Sequence, residues 1–204
     1  METFETGTKG YLAMPAGGKA PGVVVLHAWW GLNDFFKEFC NRLAGEGFVV
    51  FAPDLYHGAL AATIDEAETL SSKLERDVAN QEMVAVVEYL QNHPSISQTA
   101  LGVVGFSLGA FLALWLAQNR PNDIAAAVLF YGTGDGKYNQ AQAAFLGHYA
   151  ENHPYEPTEV VRKLENTLRA AGRDVEFHTY PGTGHWFFEQ DRPDAYDANA
   201  AQLA

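Results

Sequence analysis

The sequence predicts an α/β fold: a mostly parallel central sheet with helices on both faces, in one domain over residues 1–204. Three observations predict it. Short β-branched runs such as Gly22-Val23-Val24-Val25-Leu26 lack polar alternation, as strands covered on both faces do. Stretches of helical periodicity with caps and stops separate these runs. The alternation continues through the whole chain, with no internal repeat, low-complexity tract or linker.

Taken in order, the first strand runs behind Pro21 to His27 and hands over to a helix. Asn33 or Asp34 can cap that helix, Phe35, Phe36, Phe39 and Leu43 supply its apolar face, and Gly45 and Gly47 can end it. Phe48-Val49-Val50-Phe51 is a second buried strand, closed by Pro53. From Thr63 to Asn92 the pattern is helical, with Met83, Val86, Val87 and Leu90 on one face and Pro94 as a stop. Leu101 to Phe106 is a third strand, and Leu108 to Ala117, apolar almost all round, suits a helix buried against the sheet. Ile124 to Tyr131 and Ala144 to Tyr149 follow as strands. Thr158 then caps a helix carrying Val161, Leu164, Leu168 and Ala171, which Gly172 stops. Val175 to Tyr180 is the final strand, and a last helix is expected from Pro193 to Ala204.

Composition narrows the function. Lys and Arg number 13 against 25 Asp and Glu, a net charge of −12 that repels phosphate backbones and anionic lipid surfaces, so neither nucleic acid nor membrane is an expected partner. The acidic N-terminus is unlike a signal peptide, and no apolar run approaches the ~18 residues of a membrane span. A lone cysteine, Cys40, and the absence of zinc-type Cys/His spacing predict neither a disulfide within the chain nor a metal site. The expectation is a cytoplasmic protein, a monomer or small homo-oligomer.

In parallel sheets ligands sit at the carboxyl ends of strands, and the residues there carry the chemistry. Gly105-Phe106-Ser107-Leu108-Gly109 is a G-x-S-x-G at a strand-to-helix junction, where a sharp turn exposes a serine hydroxyl at a helix N-terminus. A serine needs a neighbouring base, and His185, after the last predicted strand in the loop Pro181-Gly182-Thr183-Gly184-His185-Trp186, stands late in the chain where this architecture places one. Of the other six histidines, His57, His93 and His178 read as loop or surface residues, and His27 as structural or pocket-lining. The residue orienting His185 is expected after the strand ending near Tyr149, where Glu151 and Glu156 are the two carboxylates and no aspartate stands. An oxyanion hole is assigned to the backbone N–H groups of Leu108 and Trp29. Trp29, Trp30, Tyr56, Tyr131, Trp186 and Phe187 are expected to line the mouth. The run Gly132-Thr133-Gly134-Asp135-Gly136-Lys137 fails both phosphate-loop patterns and reads as a turn.

Together these segments resemble the dienelactone hydrolase family of the α/β-hydrolase fold. The resemblance is carried from about Gly10 onward by Trp30-Gly31-Leu32-Asn33, Ala52-Pro53-Asp54-Leu55-Tyr56, Gly105-Phe106-Ser107-Leu108-Gly109, Ala150-Glu151-Asn152-His153-Pro154 and Gly182-Thr183-Gly184-His185. It implies cofactor-free hydrolysis of a small ester or lactone by a nucleophile, a histidine and an acid. Two departures stand out. Founding members have cysteine where Ser107 stands and a thiol-holding glutamate at the position of Ala28, so the pair Ser107 and Ala28 shifts the chemistry towards a serine esterase. The family's triad aspartate matches His153, which leaves Glu151 to reach His185 or the triad reduced to a dyad. A weakly catalytic binding protein on this fold, or an acyltransferase or perhydrolase using the same serine, are the competing expectations.

Overall fold

The computed structural model describes residues 2–3 and 9–204. Eight strands form one sheet: β1 (Glu2–Thr3), β2 (Lys9–Ala13), β3 (Gly22–Leu26), β4 (Val49–Pro53), β5 (Leu101–Phe106), β6 (Ile124–Phe130), β7 (Ala144–Asn152) and β8 (Val175–Gly184), in spatial order β1-β2-β4-β3-β5-β6-β7-β8. The pairs β1/β2 and β2/β4 are antiparallel, and all others are parallel. Helices α1 (Asp34–Gly45), α2 (Ile64–Lys73), α3 (Arg76–Asn92), α4 (Leu108–Asn119), α5 (Thr158–Ala170) and α6 (Ala198–Leu203) connect or follow them. The expected α/β-hydrolase architecture is what the chain adopts. No helix among the described residues is long and apolar enough to cross a membrane.

Strand alternation divides the core in two. Val24 and Leu26 of β3 join one cluster with Met83, Val86 and Leu90 of α3, Leu112 and Leu116 of α4, and Leu164 and Leu168 of α5. Val23 and Val25 join the other with Phe36, Phe39 and Cys40 of α1. Burial on both faces explains why β3 and β4 read as unbroken apolar runs: every residue of each is buried. Helix α1 starts as its sequence signals, with the Asn33 carboxamide oxygen accepting from the Phe36 N–H (3.3 Å), and Gly47 at φ +94° follows its end.

Three expectations of element length are corrected. The helical stretch Thr63–Asn92 is two helices, broken where Leu74 turns extended (φ −67°, ψ 110°). Helix α2 buries Ala67 in the α1 cluster while α3 buries Ala79 to Leu90 in the opposite one, so one straight helix could not serve both. The last helix is only α6, capped by Asp197. Strands β7 and β8 run beyond Tyr149 and Tyr180, so Pro181–Gly184 is strand rather than loop.

Candidate active site

Sheet register assembles the site. Phe106 of β5 pairs with Phe130 of β6, and Asn152 of β7 with Gly184 of β8. The residues that immediately follow these four strand ends are Ser107, Tyr131, His153 and His185, so four consecutive parallel strands deliver four side chains to one edge.

Ser107 sits at φ 52°, ψ −110°, in a region that costs a non-glycine residue about 1–3 kcal/mol. Its neighbours explain how the turn closes: a Cβ at Gly105 would overlap the Gly109 carbonyl, and one at Gly109 would overlap the Leu26 carbonyl of β3. Tyr131 (φ 39°) and Trp186 (φ 68°) share the positive-φ strain, so three of the four such non-glycine residues described surround this site. The Ser107 Oγ lies 3.0 Å from His185 Nε2, and His185 is buried. Burial, reinforced by neighbouring His153, holds the His185 pKa well below the ordinary histidine range.

Glu151, expected to orient His185, does not face it. Between the pairs Ala150/Tyr180 and Asn152/Gly184, β8 has three residues where β7 has one, so Pro181–Thr183 arches out. The exposed Glu151 carboxylate accepts from the Gly182 N–H (2.8 Å) in that arch. His153 stands against His185 instead, with ring centroids 4.5 Å apart and planes at 84°. Its Nδ1 accepts from the Glu156 N–H (2.9 Å), and burial takes its pKa down to about 4, so it is neutral at pH 7. Glu156 is in turn held by the hydroxyl and the amide of Thr133. The Gly-rich stretch after β6 is irregular, and Thr133 in it anchors this chain of contacts.

The aromatic residues divide. Trp29, Trp30 and Trp186 cluster beside His185, with ring centroids 5.2–5.9 Å apart. Tyr155, unanticipated and 45% exposed, closes the group at 5.1 Å from His185 and 5.6 Å from Trp29. Trp30 is buried beneath rather than at the mouth, and the Arg192 guanidinium, also unanticipated, lies 3.6 Å from its ring centroid. Tyr131 is a second correction: it is wholly buried under His185 (centroids 5.0 Å), with its hydroxyl donating to Glu189 (2.6 Å). Full burial pushes the Glu189 carboxyl up to about 8. Tyr56 is a third: it lines a cavity of about 350 Å3 with Leu55, Leu70, Val78 and Glu82, outside the Ser107–His185 cluster.

His27 proves structural. The Leu55 N–H donates to its Nε2 (3.3 Å), so its Nδ1–H donates to the Ala28 carbonyl (2.7 Å), which fixes the backbone just before Trp29. The Gly31 N–H closes that turn on the same carbonyl (3.2 Å). Among the described residues no backbone carbonyl engages the amide of Trp29 or of Leu108. Cys40 is buried in α1, its thiol pushed up to about 12 by burial, which leaves no thiolate for chemistry at neutral pH.

A doubly covered, mostly parallel sheet carrying a serine on the β5–α4 turn and a histidine after the last strand is an α/β-hydrolase architecture. Within it, the chain belongs to the dienelactone hydrolase family, whose model matches residues 8–204. Protein usf of Aquifex pyrophilus is 34% identical over 207 residues, covering 96% of this chain and 88% of that one. A protein of Aquifex aeolicus provisionally named a carboxymethylenebutenolidase is 31% identical over 202 residues, covering 95% and 87%. Among solved structures, a Klebsiella pneumoniae protein provisionally described as a dienelactone hydrolase superposes with a TM-score of 0.81 at 22% identity, covering 96% of this chain and 93% of that one.

Proposed function

We propose that this protein is a serine hydrolase of small esters or lactones. The observation that carries the reading is the 3.0 Å approach of Ser107 Oγ to His185 Nε2 on a strained strand-to-helix turn. Membership of the family, and a relative named for a butenolide-opening activity, support the substrate class.

In the first half-reaction the Ser107 Oγ adds to the ester carbonyl as its proton passes to His185 Nε2, and the carbonyl electron pair moves onto oxygen. We assign that oxyanion to the amides of Trp29 and Leu108, an assignment supported by the lack of a backbone carbonyl partner for either among the described residues. Collapse of the intermediate breaks the carbon–oxygen bond to the leaving group, which takes the proton from Nε2; in a lactone both halves stay joined. Water then repeats the sequence on the acyl-enzyme and returns Ser107 to its starting state. Trp29, Trp186 and Tyr155 offer apolar aromatic surface to the acyl group, which favours neutral substrates. Among the described residues the polar partners of His185 are Ser107 and His153 and no carboxylate bonds to it, and losing a triad acid can cost ~10⁴ in kcat, so modest turnover is expected.

Treatment with a fluorophosphonate followed by peptide mass analysis tests the reading. Labelling at Ser107 is expected, and Ser107→Ala should abolish it and lower kcat on p-nitrophenyl esters by about 10³ or more. A folded protein that stays unlabelled, or a variant that keeps its rate, overturns it.

A further inference from the structure

A histidine base must carry its proton on Nδ1 to leave Nε2 free for serine, and an anion beside Nδ1 ordinarily secures this. Here the partner is a neutral ring, and the geometry of that contact is unusual. His185 Nδ1 lies 3.3 Å from His153 Nδ1 and 3.2 Å from His153 Nε2. A hydrogen bond in the plane of His153 would bring one nitrogen close and leave the other out of reach. An approach between them in the plane would drive the Cε1 edge into His185. Equal distances with the rings at 84° fit one arrangement: His185 Nδ1 points at the face of the His153 ring. That face is the electron-rich side of an aromatic ring, so it attracts an N–H and repels a lone pair.

We infer that His153 is a positioning residue whose ring face holds His185 in the Nδ1–H tautomer, so that Nε2 faces Ser107 as an acceptor without any carboxylate. His153 is itself braced for this task. The Glu156 N–H bond to its Nδ1 fixes the ring rotation and keeps that nitrogen unprotonated, and the Thr133 contacts fix Glu156. A neutral His153 therefore carries its proton on Nε2, on its edge and away from the face that His185 meets. The Tyr155 ring (5.1 Å) and the Tyr131 ring (5.0 Å) flank His185 and restrict its rotation. The opposite arrangement, an in-plane bond from His153 Nε2–H to His185 Nδ1, would move the His185 proton to Nε2 and leave Ser107 with no base.

The catalytic consequence rests on the hydrolase reading; the tautomer does not, and the experiment separates them. Long-range 1H–15N spectra of the full-length labelled protein at pH 7.5 should show His185 protonated at Nδ1 and bare at Nε2. A His185 protonated at Nε2 overturns the inference, whatever the activity. Two variants extend the test: His153→Phe keeps a ring face, and His153→Leu removes it. His153→Phe should keep the tautomer and kcat within about threefold. His153→Leu should show mixed tautomers and lose about tenfold in kcat with KM little changed, between the few-fold of an isolated N–H···π contact and the ~10⁴ of a lost triad acid. Equal rates for the two folded variants overturn the role. Should Ser107 resist labelling while His185 carries its proton on Nδ1, the hydrolase reading fails and the positioning contact stands.

Discussion

The two halves of the candidate site are built by different means. The nucleophile half, from Gly105 to Gly109, is a backbone object: Ser107 is placed by a strained turn whose flanking residues have no room for a Cβ. The histidine half, formed by Asn152–Glu156 with His185, is a side-chain object: a relay from Thr133 through Glu156 and His153 sets the base. Backbone constraints tolerate few residues at a position and therefore show as a motif. Side-chain relays can be built from other residue types, and here the ring of His153 stands against His185 where the sequence leads one to expect a carboxylate. A half built from backbone can thus exchange its nucleophile and keep its turn, whereas a half built from side chains can exchange the whole relay.

The sharpest way to break that contrast is to give the elbow a side chain. In Gly109→Ala the new Cβ meets the Leu26 carbonyl of β3, which belongs to the sheet and cannot swing aside. A loss of about 3 kcal/mol is expected, lowering Tm by roughly 6–12 °C for a chain of this length. Calorimetry checks it, and an unchanged Tm would mean that the close approach of β3, β5 and α4 does not dictate the turn.

A smaller effect is expected beneath the histidine half. The buried Glu189 carboxyl titrates at about 8 in the folded protein against 4.5 for the unperturbed group, so between those values the native state holds a proton that the unfolded state has released. Stability must therefore fall as pH rises through that window and level off above it. From pH 7 to pH 9, above the range where the buried histidines gain charge, the wild type should lose about 1–2 kcal/mol relative to Glu189→Gln. Parallel urea melts of the two proteins read this directly. Parallel slopes would show that the carboxyl under Tyr131 is already ionised at neutral pH.

Much of this was legible in the sequence, and the exceptions share a cause. The turn at Ser107, the α1 cap at Asn33 and the buried β3 and β4 follow from local pattern, because each is fixed by neighbours in the chain, whereas His185 is singled out by its place late in the chain order. The break at Leu74 carries no glycine or proline; it arises because α2 and α3 serve opposite clusters, a tertiary demand. Tyr131 reads in the sequence as the last residue of its strand and stands one position beyond β6, but strand position alone does not say whether a side chain turns towards solvent or under its neighbour. Glu156 was visible as a carboxylate, whereas its bond to Thr133 depends on a contact between the segments following β6 and β7.

The smallest predicted effect tests the most consequential of these corrections. Glu151 lies two residues before His153, and in a regular strand both would point the same way. The unequal register between β7 and β8 removes that equivalence, because the arch at Pro181–Thr183 presents the Gly182 N–H to the Glu151 carboxylate. Glu151→Gln keeps an oxygen that can accept from Gly182 and changes only the charge. At this exposed position kcat/KM should stay within about twofold and stability within about 0.5 kcal/mol of the wild type. Steady-state rates across pH 5–9 with one p-nitrophenyl ester decide the matter. A fall of tenfold or more would return Glu151 to the catalytic relay and would mean that the arch rearranges when substrate binds.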